Sequence, residues 1–141
     1  MKKRAISIIG AVFLAAALIS ACGSPSYKDG VYTGRSGEDD LGAYGEATVT
    51  ISGGEISDCE YVTRQKDGGI KDSEYGKVNG EISNQEYYDK AQFAVRAMAS
   101  YAESLKAKKN LKGVDAITGA TIAYGQFTEA VGEALKQAEA K

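Results

Sequence analysis

The chain has 141 residues, enough for one ordinary domain, and its formal net charge of −2 argues against nucleic acid as the main partner. It has no histidine and only two cysteines, which excludes a histidine-based catalytic triad and the common zinc sites. Since no nucleophile with a paired base is visible, we predict a protein that is not a turnover enzyme.

The N-terminus is typical of a bacterial lipoprotein signal. Basic residues at positions 2–4 precede an apolar run over residues 6–19, which is too short for a confident membrane span. The run ends in Leu18-Ile19-Ser20-Ala21-Cys22, which resembles a lipobox. The alternative is a plain transmembrane anchor with an incidental cysteine.

A lipobox predicts a signal peptide at residues 1–21, followed by a lipidated cysteine, Cys22, and a short tether over residues 22–27. Acyl chains such as palmitate would anchor the protein to the cell membrane, on its extracytoplasmic face. Cleavage removes three positive charges and no negative ones, so the net charge of −2 becomes −5. The folded domain is predicted at residues 28–141.

The first half of that domain is predicted to form strands. A turn leads into a short strand within residues 27–34, and a loop follows over 35–42. Residues 47–52 alternate between apolar and polar, which is typical of a half-buried strand. The pair Gly53-Gly54 then favours a hairpin to a strand at 56–63.

The second hairpin strand does not alternate cleanly. Ile56 and Cys59 differ in parity, so either a bulge lies between them or one of them faces solvent. We predict that Cys59 is a buried small side chain, the alternative being a reactive or pairing thiol. Residues 64–82 are ambiguous, although Tyr75 and Val78 are compatible with a further short strand.

A long helix is predicted from the capping box formed by Ser83 and Glu86 to about Lys109. One apolar stripe, expected to face the core, comprises Tyr88, Ala91, Val95, Met98, Ala102 and Leu105. Four lysines crowd the C-terminus of the helix, where they suit the helix dipole or could attract a phosphate: Lys106, Lys108, Lys109 and Lys112.

A last helix is predicted at about residues 122–138, with an apolar face of Phe127, Ala130, Val131, Ala134, Leu135 and Ala138. The elements together predict an α+β fold, a small twisted, mainly antiparallel sheet over residues 29–80 packed against two helices.

The segment before the last helix, Asp115-Ala116-Ile117-Thr118-Gly119-Ala120-Thr121, has the composition of an anion-binding loop. Gly119 and Ala120 leave room for a phosphate to approach the backbone, and a helix N-terminus supplies converging N–H groups. Thr121 would then expose its hydroxyl at the helix entry. The alternative is a simple turn with Thr121 as the N-cap.

This segment resembles the D-x-x-[ST]-G-A-T motif of the FMN-binding domain family. The stretches Asp29 to Gly34, Gly45 to Ile51 and Gly53 to Ile56 also resemble the opening of that family. The resemblance implies that FMN is attached covalently to Thr121 through a phosphoester bond, by a flavin transferase that uses FAD. It also implies that Asp115 orders the loop or is read by the transferase.

The cofactor-binding residues implied by the resemblance are Asp115, Thr118, Gly119, Ala120, Thr121 and Tyr124. Tyr44, Tyr124 and Phe127 are candidates for contact with the flavin ring. Ala123 departs from the pattern, because many members place Ser or Thr there.

The family includes the flavinylated subunits of Rnf-type and sodium-pumping NADH–quinone reductase complexes. The resemblance therefore implies a membrane-anchored electron carrier that takes electrons from quinone-linked or other membrane redox proteins. Two alternatives stay open. One is a lipoprotein that binds FMN or another small ligand non-covalently, and the other is an interaction lipoprotein with a degenerate flavin site.

Overall fold

The computed structural model describes residues 26–139, so the predicted signal peptide and Cys22 lie outside the described residues. The elements in chain order are β1 (Gly30–Arg35), β2 (Tyr44–Ser52), β3 (Glu55–Arg64), α1 (Gln85–Lys108), a short 3-10 helix (Leu111–Gly113) and α2 (Thr121–Ala138). The strands form one antiparallel sheet in the order β1-β2-β3. The α+β prediction is therefore confirmed. Within the described part of the chain, no helix is both long and apolar enough to span a membrane.

The hairpin of β2 and β3 contains a bulge, one of the two alternatives that the parity of Ile56 and Cys59 left open. The pairing register shifts between Thr50 and Ile51, where β3 contributes Ser57 as an extra residue. The extra residue restores the parity of the strand, so Ile56 and Cys59 are both buried. Burial, with a smaller contribution from adjacent carboxylates, raises the pKa of Cys59 to about 12.

The sheet ends at Arg64, so the prediction that it extends to residue 80 is wrong. Val78 forms an isolated bridge with Glu81 instead of joining a strand. Asn79 and Gly80 both have positive φ, because they form the tight turn that makes this bridge. A turn of this kind cannot continue as an extended strand.

Helix α1 begins one residue later than predicted, because Asn84 is its N-cap rather than Ser83. The Asn84 Oδ1 accepts a hydrogen bond of 2.9 Å from the Tyr87 N–H. Glu86 then pairs with Lys90, four residues on, at 2.7 Å. Asparagine and serine are comparable caps, so the local backbone decided between them.

The core lies between the sheet and both helices, with α2 across β1 and β2 and α1 against β3. The predicted apolar face of α2 is entirely buried. On α1, Tyr88 and Val95 are only half-buried, whereas Tyr101, which the predicted stripe omits, is 1% exposed. The stripe is therefore wider than a single line of residues at spacings of three and four.

Candidate functional site

The motif before α2 folds as a tight turn. The Ala120 N–H donates to the Ile117 carbonyl at 3.0 Å, and Gly119, the third residue of the turn, has a φ of +88°. This combination is typical of a type II turn, in which glycine is preferred at that position. A Cβ on Gly119 would also lie 3.3 Å from Cε1 of Phe93 on α1. Glycine is therefore favoured here both by conformation and by close packing.

One buried side chain, Tyr101 of α1, connects the two ends of this turn. Its hydroxyl accepts a hydrogen bond of 3.0 Å from the Ile117 N–H and donates one of 3.3 Å to the Ala120 carbonyl. Tyr101 was not among the predicted site residues. The only signal was its place beside the apolar stripe, because a contact between α1 and the motif depends on tertiary structure.

The turn delivers Thr121 to the start of α2. Ala120 is the N-cap and makes no side-chain capping bond, so the alternative in which Thr121 is the N-cap is wrong. The first bond of the helix runs from the Tyr124 N–H to the Ala120 carbonyl at 3.0 Å. Among the described residues, no acceptor contacts the three N–H groups of residues 121–123 or the exposed Thr121 hydroxyl. This end of α2 therefore attracts an anion.

A cavity of about 450 Å³ opens beside this helix end, within the range of roughly 300–1,000 Å³ of small-molecule sites. Of the predicted cofactor-binding residues, Gly119, Ala120 and Thr121 line it. Ala123, which departs from the family pattern, also lines it. The remaining walls come from α1, α2, the end of β3 and the loops before β2 and after β3: Asp39, Leu41, Thr63, Lys71, Tyr75, Ala94, Met98, Ile122 and Gln126.

Three predicted site residues are placed away from the lining of this cavity. The Asp115 side chain is 90% exposed, and its carboxylate pairs with Lys108 at 3.2 Å. Thr118 is exposed in the turn. The Tyr124 hydroxyl donates to the Val114 carbonyl at 2.8 Å, and its ring packs on Tyr101.

The other two aromatic candidates for contact with the flavin ring, Tyr44 and Phe127, also pack against residues outside the cavity. The guanidinium of Arg35 lies over the Tyr44 ring, 3.5 Å from the centroid of that ring. Phe127 is fully buried and stacks on Tyr101. The aromatic side chain that does line the cavity is Tyr75, which the sequence analysis considered only as a strand residue.

The cavity carries one pair of opposite charges that the sequence analysis missed. Asp39 Oδ1 accepts the N–H groups of Leu41 and Ala43, both at 2.9 Å, which shapes the loop before β2. Its Oδ2 lies 3.7 Å from the ammonium of Lys71, which in turn lies 5.1 Å from the ring centroid of Tyr75. No group of metal-ligating side chains occurs in residues 26–139.

These features define a small α+β protein with a cavity suited to an anionic, partly apolar ligand. The model of the FMN-binding domain family matches residues 42–136, which is more than half of the chain, and the chain belongs to this family. Membership supports the binding of FMN, and the free N–H groups at the start of α2 fit its phosphate.

Two solved structures resemble this chain. CPE2226 from Clostridium perfringens shares 23% sequence identity, over 79% of this chain and 88% of that protein, with a TM-score of 0.62. A protein from Clostridium thermocellum shares 23% identity, over 78% and 91% of the two chains, with a TM-score of 0.45. The first similarity shows a common fold. No protein with a curated description matches.

Proposed function

We propose that this protein is a membrane-anchored electron carrier outside the cytoplasmic membrane, with FMN attached to Thr121 through a phosphoester bond. One observation carries the proposal. The hydroxyl of Thr121 is exposed at the N-terminus of α2 and borders a cavity of about 450 Å³.

The backbone around Thr121 suits a phosphoester. The ester keeps one negative charge, and the N–H groups of residues 121–123 are free to donate to its oxygens. Threonine is a weak nucleophile at neutral pH, so an external flavin transferase must activate its hydroxyl and supply FMN from FAD. Because both Thr121 and Asp115 are exposed, such an enzyme can reach the motif without unfolding the domain.

When bound, FMN supplies the redox chemistry, and the protein supplies position and electrostatics. Gly119 and Tyr101 hold the turn that presents Thr121. Leu41 and Ile122, both largely exposed, provide apolar surface at the cavity. This arrangement suits exchange of electrons with a partner rather than turnover of a substrate, and donors linked to quinones or other membrane redox proteins fit it.

The position of the site suits an anchored carrier. The Lys28 N–H donates to the Ala138 carbonyl at 2.7 Å, so the chain enters the domain beside the C-terminal end of α2. Thr121 lies at the other end of this 18-residue helix, roughly 27 Å away at about 1.5 Å per residue. A lipid on Cys22 would therefore hold the membrane and the flavin at opposite ends of α2.

The test is an intact-mass measurement on the denatured full chain after co-production with a flavin transferase. We expect an added FMN that survives denaturation and is absent from Thr121→Ala. The matched control is Thr128→Ala on the same helix. Within residues 26–139 the Thr128 hydroxyl bonds only to the Gly125 carbonyl, so its loss should leave the added mass unchanged.

Two results would overturn the proposal. Flavin that co-purifies but is released on denaturation would indicate a protein that binds FMN non-covalently. Ala123, which stands where many family members have Ser or Thr, makes this the main alternative. A colourless protein, with another family member modified in parallel, would leave the interaction lipoprotein.

A further inference from the structure

The cavity beside Thr121 is lined by a lysine, Lys71, whose ammonium makes no hydrogen bond within residues 26–139. Of its lining residues, Lys71 is the one cation, and its side chain is only 14% exposed. The Asp39 carboxylate, 3.7 Å away, is beyond hydrogen-bonding distance. Within residues 26–139 no acceptor makes a hydrogen bond with this ammonium, which has three N–H donors. The side chain is largely buried, but the ammonium itself is accessible, since no buried side-chain nitrogen or oxygen without a hydrogen bond occurs in residues 26–139. It is therefore free to donate to an anionic or strongly accepting group in the cavity.

Contacts from three parts of the fold position the Lys71 ammonium. The Lys71 N–H donates to the Thr63 carbonyl at the end of β3, at 2.9 Å. The side chain then lies between Asp39 and the face of the Tyr75 ring, 5.1 Å from its centroid. These contacts come from a loop, a strand and a turn, so the charge is fixed relative to the motif on α2.

A second cavity of about 360 Å³ adjoins the first, and Leu41, Lys71 and Tyr75 line both. Lys71 therefore lies where a ligand that starts at Thr121 and extends along the protein surface would pass. The phosphate of such a ligand has donors at the start of α2, so its ring system would be the part nearest the lysine.

On these grounds, and resting on the proposed function, we propose that Lys71 is the positioning and charge-compensating residue for the flavin ring, and that it favours the reduced cofactor. Oxidised flavin is neutral, and uptake of two electrons and one proton leaves one negative charge on its pyrimidine edge. A fixed ammonium nearby stabilises that charge and so raises the midpoint potential. The Asp39 carboxylate acts in the opposite direction.

The test compares midpoint potentials of the full chain, flavinylated by co-production and titrated with dithionite. An opposite charge about 4–6 Å from an ionising group changes its ionisation constant by about tenfold or more. We expect an effect of similar size on the reduction of the flavin, because reduction also creates a negative charge. We expect Lys71→Gln to lower the equilibrium constant for reduction about tenfold, which is about 30 mV for a two-electron couple. Lys71→Arg should keep the potential, and Asp39→Asn, which retains the Oδ1 acceptor for Leu41 and Ala43, should raise it.

The matched control is Lys28→Gln, which removes the same charge from an exposed position beside the C-terminal end of α2 that lines neither cavity. A change in potential equal to that of Lys71→Gln would reveal a general charge effect and overturn the proposal. The proposal would also be overturned if Lys71→Gln lowered the flavin content but left the midpoint potential unchanged, because Lys71 would then act on the phosphate rather than on the ring. Wild-type protein without flavin overturns both this inference and the proposed function, whereas flavinylated protein whose potential ignores Lys71 and Asp39 overturns the inference alone.

Discussion

Tyr101 shows how a single hydroxyl organises the site. It satisfies the N–H of Ile117 and the carbonyl of Ala120, which are the two ends of the motif turn. The Ala120 carbonyl has a second partner in the Tyr124 N–H, but no other acceptor for the Ile117 N–H is present in residues 26–139. Loss of the hydroxyl therefore leaves a part-buried donor unpaired.

We expect Tyr101→Phe to lower the free energy of unfolding by about 1–3 kcal/mol, the usual effect of an unpaired buried donor. It should also slow modification of Thr121, because the turn is less well fixed. Urea denaturation and a time course of intact mass measure the two effects. Tyr32→Phe is the control, since its hydroxyl bonds the Lys28 carbonyl at an exposed site. Equal effects of both variants would refute a special role for Tyr101.

Gly119 is constrained by its φ of +88° and by Phe93. We expect Gly119→Ala to destabilise the protein by about 1–3 kcal/mol, because the added Cβ strains the turn. Gly125→Ala in α2 meets open space and should instead stabilise the helix by about 0.5–1 kcal/mol. Thermal unfolding of the two variants should therefore shift in opposite directions, and a stabilised Gly119→Ala would contradict the turn geometry.

At the scale of elements, β1 and α2 pack closely against each other. A Cβ on Gly34 would overlap the backbone of Ala130 and Ala134, so the helix rests directly on the strand. This close approach holds the middle and C-terminal part of α2 against the sheet. This contact was not predicted, because a glycine within a strand is compatible with several structural causes.

We expect Gly34→Ala to force α2 away from β1, at a cost of about 3 kcal/mol or more, since overpacking against backbone cannot be relieved by a rotamer change. Gly132→Ala, on the same helix, meets nothing within 4 Å and is the control. Chemical denaturation compares them. If both variants kept wild-type stability, the close helix–strand contact would be wrong.

For the whole molecule, two side chains on β3 with ionisable protons, the buried Cys59 and the half-buried Tyr61, predict sensitivity to alkaline pH. Burial raises the pKa of Cys59 from 9.0 to about 12 and that of Tyr61 from 10.0 to about 12. Unfolding exposes both groups, which then lose their protons at a lower pH than in the folded protein. The contribution of these two groups to the free energy of unfolding is therefore fully present below about pH 9 and is lost between about pH 9 and 12.

Urea midpoints measured between about pH 8 and 11 should decline accordingly. Cys59→Ala should be less stable than wild type at neutral pH, because it loses packing, yet should decline less steeply. If the urea midpoints of wild type and Cys59→Ala declined in parallel with pH, the Cys59 thiol would not contribute to the loss of stability at alkaline pH.

The sequence by itself determined what depends on local pattern. Alternation predicted β2, and helical spacing predicted the buried face of α2. The parity of Ile56 and Cys59 limited β3 to a bulge or one solvent-facing residue, and the structure decided for the bulge. The motif ending in Thr121 identified the family, because its residues are adjacent in the chain and are read without knowledge of the fold.

Only the tertiary structure decided which distant side chains complete the site. Tyr101 and the motif belong to different elements, as do Lys71 and Asp39, and nothing in their local sequence marks these pairs. Tyr124 adjoins the motif in sequence, yet the helix turns its ring onto Tyr101 and its hydroxyl toward Val114. Proximity along a chain predicts contact within one element, whereas contact between elements depends on how their faces pack.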